Sequence, residues 1–98
     1  MSLEFENKIA LDLIQALSFS ISSNMRAISF TCTGDKVDVY FVLGQSSEID
    51  DEEIIDITCD FEALQDGPID INCHVEVFTK DIVFGSLKGR ILYASKQN

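Results

Sequence analysis

The chain has little positive charge to set against its negative. Seven Lys and Arg stand against seventeen Asp and Glu, a formal net charge of −10. Such a field repels phosphate backbones and attracts basic surfaces, which argues against direct nucleic-acid binding. Cysteine is sparse too, and Cys32, Cys59 and Cys73 are an odd number at wide spacing, with no C-x-x-C and a single His. That pattern supports neither a zinc site nor a disulfide framework. The thiols read instead as small, inert apolar side chains kept reduced in a cytosolic setting. Glycines occur singly at turns, so there is no phosphate-cradling loop, and the acidic run "DDEE" lacks the Asp/Asn alternation and central Gly of a calcium loop. No metal or cofactor is expected.

Long apolar runs are also missing. The longest uncharged stretch, Leu13 to Met25, is interrupted by serines and an Asn and is shorter than the ~20 residues a membrane span needs. The start, "MSLEFENK", places two Glu before its first Lys, the reverse of a secretory leader, so a cytoplasmic protein without a membrane segment is expected. With 46% hydrophobic residues and one Pro, the chain is far from a disordered composition, and residues 1–98 fit one domain.

What is present is periodicity. From Leu3 to Phe19, Phe5, Ile9, Leu13 and Leu17, flanked by Ala10, Ile14 and Ala16, recur at helical spacing and end in the turn-forming "SFSISSN". "RAISFTC" then alternates, with Ile28, Phe30 and Cys32 opposite Ala27, Ser29 and Thr31. Beyond "TGDK", Val37, Val39, Phe41 and Leu43 alternate with Asp38, Tyr40 and Val42, which predicts a hairpin with one apolar face. Asp50 and Glu53 have capping-box spacing ahead of Ile54, Ile57, Phe61 and Leu64, predicting a second amphipathic helix that "DGP" terminates. "IDINCHVEV" gives a half-buried strand with Ile69, Ile71, Cys73, Val75 and Val77 opposite Asp70, Asn72, His74 and Glu76, and a last strand is placed at Arg90 to Ser95. The expected fold is α+β: a two-layer sandwich in the order α-β-β-α-β-β, with two helices on one face of a four-stranded, mostly antiparallel sheet.

The segment from Ser46 to Asp66 holds nine carboxylates and no Lys or Arg. Asp51, Glu52 and Glu53 complement the helix dipole, worth roughly 0.3 to 1 kcal/mol each. Asp56 and Asp60 lie beyond its reach, and Glu52, Asp56 and Asp60 stack at i, i+4, where like charges cost a few tenths of a kcal/mol per pair. A solvated face is the plain reading of any one of these charges, but nine uncompensated acids exceed what solubility needs. The other candidate surface is the polar side of the strands. Within the strand, His74 points away from Cys73, which rules out a Cys–His nucleophile pair there. No catalytic residues are assigned, and the chain reads as a non-enzyme. Partner contact is assigned to Asp38, Tyr40, Asp51, Glu52, Asp56, Asp60, Asp70, His74 and Glu76.

The run "LIQALSFSISSNMRAISF", with its S-x-N-x-R-A turn, followed by "DKVDVYFVLG" and "DDEEIIDITCDFEAL", resembles immunity proteins of bacterial contact-dependent growth inhibition systems. The similarity spans roughly residues 10 to 78. It implies a cytosolic inhibitor that binds the toxin domain of its cognate system, often a nuclease. Members act through different surfaces, so no contact residue carries over, and the assignment above rests on charge. The competing reading is an acidic interaction module for another basic partner, with no toxin involved.

Overall fold

A computed structural model describes residues 3–83, 85 and 87–95 of the chain. The described residues form α1 (Leu3–Leu17), β1 (Met25–Thr33), β2 (Lys36–Leu43), α2 (Glu48–Ala63), β3 (Asp70–Val77) and β4 (Arg90–Ala94). Strand order in the single sheet is β3-β2-β1-β4, with β1 antiparallel to both β2 and β4 and β2 parallel to β3. This is the expected α+β sandwich with a mixed, mostly antiparallel sheet. Phe84, Ser86 and residues 96–98, part of the tail read from sequence, lie outside the described residues.

The core between helices and sheet follows from the alternation. Ile28 and Phe30 of β1 and Val37, Val39, Phe41 and Leu43 of β2 are buried against Ile9, Ala10, Leu13, Ala16 and Leu17 of α1 and Ile54, Ile57 and Phe61 of α2. Gly34 turns the hairpin at φ 63°, a left-handed conformation that glycine adopts without a Cβ clash.

The S-x-N-x-R-A turn, residues 22–27, ties the layers together. A bulge falls at Arg26, since Met25 faces Leu43 while Ala27 already faces Val42. The extra residue flips the alternation, so Met25 enters the helix-side core and Ala27 the opposite face. The Arg26 guanidinium donates to the carbonyls of Phe78 (2.5 Å) and Lys80 (2.6 Å), and its own carbonyl accepts from the Ser95 amide at 2.8 Å. These bonds pin the connection from β3 to β4, which carries Ile82, Phe78 and Leu87 across the outer sheet face onto Ala27 and Val42.

Four expectations need correction. Ser47, not Asp50, caps α2, accepting from the Asp50 amide at 3.2 Å, and Asp50 lies in the first turn with its carboxylate buried. The helix ends at Ala63 with Leu64 as cap, before Gly67 is reached, because the last amides close onto Phe61 and Glu62 without a left-handed residue. Val75 and Val77 are about half exposed rather than buried, since β3 is an edge strand. Cys59 is exposed on α2, while Cys32 and Cys73 are partly buried against the core, so the thiols do not all serve as core side chains.

Candidate partner interface

On α2 the residues Asp50, Ile54, Ile57 and Phe61 recur at i, i+4, i+7 and i+11 and face the core. The helical period therefore turns Glu48, Asp51, Glu52, Asp56 and Asp60 outward, and all five are exposed. Among the described residues the ion pairs are Lys8–Asp12 at 2.7 Å, His74–Asp38 at 2.9 Å and Arg90–Glu6 at 3.3 Å, and none involves α2. Two apolar side chains stand out of this carboxylate surface, Ile49 at 76% exposure and Ile55 at 62%. Neither they nor Glu48 were assigned to contact from sequence. The signal was there for Ile55, which falls outside the i, i+3, i+7 stripe of Ile54, Ile57 and Phe61 that faces the core.

Asp50 differs from the other acids. It is 3% exposed, and its Oδ2 accepts from Asn24 Nδ2 at 2.8 Å. That bond is the main cause lowering its pKa, opposed by burial and helped by the Ser22 and Ser47 side chains. Asn24 also clamps both backbone groups of Gln45, donating to its carbonyl at 2.8 Å and accepting from its amide at 3.0 Å. Asp50 is thus a scaffold group, held charged by its neighbours.

The sheet's outer face carries the second group of assigned residues. Parallel pairing sets Tyr40 beside His74, and the rings stack with centroids 4.9 Å apart and planes 16° from parallel. His74 Nε2 lies 2.9 Å from Asp38 Oδ1, so Asp38 is already engaged. Lys88, from the β3–β4 connection, places its ammonium 5.5 Å from the Tyr40 ring centroid. Between β2, β3 and that connection lies a depression of about 230 Å³, whose walls include Ser29, Val42, Glu76 and Leu87. Asp70 and Glu76 are exposed along β3, with Asn72 donating to Asp70 at 3.3 Å.

The nine assigned residues therefore fall into two sets on opposite layers. Asp51, Glu52, Asp56 and Asp60 belong to α2, whereas Asp38, Tyr40, Asp70, His74 and Glu76 line the sheet face that the helices leave uncovered. The α2 set is uniformly anionic. In the sheet set Asp38 is paired and Lys88 adds positive charge, so it is the weaker anionic surface.

The cysteines hold no exposed reactive pair. Thr58 Oγ1 donates to the Ile54 carbonyl at 2.9 Å, so the Cys73 thiol 3.1 Å away donates to that hydroxyl. Burial pushes the Cys73 and Cys32 thiols up, away from the nucleophilic thiolate.

No described helix is long and apolar enough to cross a membrane. Comparison with curated protein sequences gives no significant match. A family match does exist over residues 6–87, a span that takes in most of α1, the Asn24 and Arg26 staples, the carboxylate helix and the Tyr40–His74 face, and it places this chain in the MafI2 immunity protein family.

Proposed function

We propose that the chain neutralises its cognate toxin by laying the carboxylate face of α2 against a basic surface of that toxin, the phosphate-gripping groove of a nuclease. Membership of an immunity family supplies the toxin partner. The observation that carries the choice of surface is the run of exposed carboxylates on α2 without an ion pair among the described residues. Each like-charge pair at i, i+4 costs the free helix a few tenths of a kcal/mol, and Lys or Arg from a partner turns that cost into attraction. Ile49 and Ile55 supply apolar contact inside the charged ring, where alternation of apolar anchors and charge gives both tightness and register.

Inhibition is stoichiometric, with no bond made or broken. It takes place in the cytoplasm of the producing cell, before a toxin delivered by a neighbouring cell on contact reaches nucleic acid. Opposite fields bring association toward ~10⁸ M⁻¹s⁻¹ at low salt, which is what interception of an enzyme requires. Titration calorimetry of the chain against its cognate toxin domain tests this. The expected result is a tight one-to-one complex whose affinity falls as salt is raised; absence of heat at micromolar concentration contradicts it.

A further inference from the structure

Between the ends of α1 and α2 runs an open groove of about 290 Å³ walled by Gln15, Ala16, Ser18, Asp60, Ala63 and Leu64, in which Asp60 is the one charged wall. The two segments that build it, Leu13–Met25 and Ser46–Asp66, contain no Lys or Arg, and Asp60 forms no ion pair among the described residues. The Ser18 hydroxyl donates to the Ile14 carbonyl at 3.1 Å, so its proton is not offered to Asp60. A trough of apolar and neutral walls with one unpaired carboxylate matches a long basic side chain, whose aliphatic stem lies on apolar surface while its charged head meets the anion. Ser18 also walls an adjoining depression of about 300 Å³ with Leu17, Phe19, Ile21 and Tyr93, so apolar surface continues from the groove past the end of α1. Phe19 follows Ser18 at φ 67°, the left-handed slot that helix ends normally fill with Gly or Asn. Its ring is fully exposed, so burial within its own chain does not offset the strain of that conformation for a bulky residue.

Resting on the α2 contact above, we propose that the groove takes a Lys or Arg side chain of the toxin and that Phe19 is the apolar anchor beside it, packing on the toxin surface next to that cation. Asp60 selects the occupant, because it belongs both to the carboxylate stack of α2 and to the groove. A partner seated on the stack reaches the groove without leaving Asp60. A second copy of the chain brings a charge of −10 to the same carboxylate and is repelled there. The two parts of the surface act at different moments: the carboxylates steer the encounter, and the ring, once desolvated, slows escape.

Stopped-flow kinetics with the cognate toxin domain, at low and high salt, separates the two parts. Phe19→Gly should leave association within about twofold of the parent and speed dissociation about 30-fold at either salt, since no charge is removed. Phe19→Asn, which tolerates the same backbone, should behave alike, and both free variants should melt at or above the parent temperature as the left-handed strain is relaxed. Ala63→Arg offers Asp60 a cation three residues on and fills the trough from an exposed position, so it should weaken binding about tenfold or more while α2 stays folded. Unchanged dissociation for Phe19→Gly, or parental binding by Ala63→Arg, while Glu52→Gln, Asp56→Gln and Asp60→Gln combined weaken binding, overturns this proposal and leaves the α2 contact standing. If that combined variant also binds as the parent does, the α2 contact fails and this inference with it. A Phe19→Gly variant that melts well below the parent gives the ring to its own fold, and a dimer of the free chain that sedimentation shows is lost in Phe19→Gly gives it to a second copy; either result overturns the proposal.

Discussion

Replacing Asn24 by Ala will destabilise the fold by about 2 to 4 kcal/mol, although no apolar side chain is touched. Asn24 satisfies three groups at once: the Gln45 amide, the Gln45 carbonyl and the Asp50 carboxylate. Its removal leaves a charge of 3% exposure without its principal donor, and an orphaned buried charge costs more than a lost neutral hydrogen bond. Acid sensitivity provides the specific signature. The pKa of Asp50 is lowered in the fold, so its contribution to stability is fully present above the unfolded carboxyl pKa, near 4, and is lost as pH falls through the lower folded value. Asn24→Asp should invert this dependence. Two carboxylates facing across that contact would share a proton with a raised pKa, so the variant should gain stability on going from pH 7 toward pH 5, where the parent changes little. Urea melts of parent, Asn24→Ala and Asn24→Asp at pH 7, 5 and 3 measure all three slopes. An Asn24→Ala variant within about 0.5 kcal/mol of the parent, the range of ordinary surface substitutions, would remove Asn24 from its role.

Gly89→Ala should cost about 2 to 4 kcal/mol, a drop of roughly 10 to 25 °C in melting temperature for a chain of this size. Two causes add. Gly89 has φ 74°, where a Cβ clashes with its own backbone at roughly 1 to 2 kcal/mol, and the added carbon would overlap the Phe30 carbonyl in β1. That carbonyl belongs to a sheet strand and has no room to retreat, so β4 would have to move away from β1. Loss should concentrate at this edge: hydrogen exchange of Ile91 to Ala94 should rise, while α2 and β3 retain their protection. Gly34→Ala is the comparison, since Gly34 is also left-handed but a Cβ there meets nothing within 4 Å. Equal losses for the two variants would show that the β4 contact with Phe30 does not matter.

Which elements form was readable from periodicity alone, because Ile9, Leu13 and Leu17, or Val37, Val39 and Phe41, must share a face to be buried together. What escaped the pattern were the places where a single residue breaks it. The bulge at Arg26 has no signature until its guanidinium finds Phe78 and Lys80, more than fifty residues on. Ser47 and Asp50 are both good capping residues, and the choice was settled by Asn24, which draws Asp50 inward from a different part of the chain. The charge of the candidate interface was readable as composition, but its division was not. Whether Asp56 and His74 share a surface depends on strand order and on which side the helices pack, and both are long-range outcomes. The S-x-N-x-R-A turn carried the resemblance to immunity proteins, yet its Asn and Arg hold the scaffold together.

The outer face of α2 is the proposed contact with the toxin, and the direct measurement is stopped-flow association with the cognate toxin at low salt, using Glu52→Gln, Asp56→Gln and Asp60→Gln combined. Gln keeps helix propensity nearly unchanged and removes the repulsion along the face, so the free variant should melt at or above the parent temperature. Association should slow by about tenfold or more as steering is lost, or dissociation should quicken if these acids are buried against Lys or Arg, where truncation costs roughly 2 to 5 kcal/mol per pair. Neutralising Asp70 and Glu76 on the opposite layer should leave both rates within about twofold of the parent. Unchanged rates for the α2 variant, or a larger loss from the sheet-face pair, would contradict the assignment and move the interface to Tyr40 and His74.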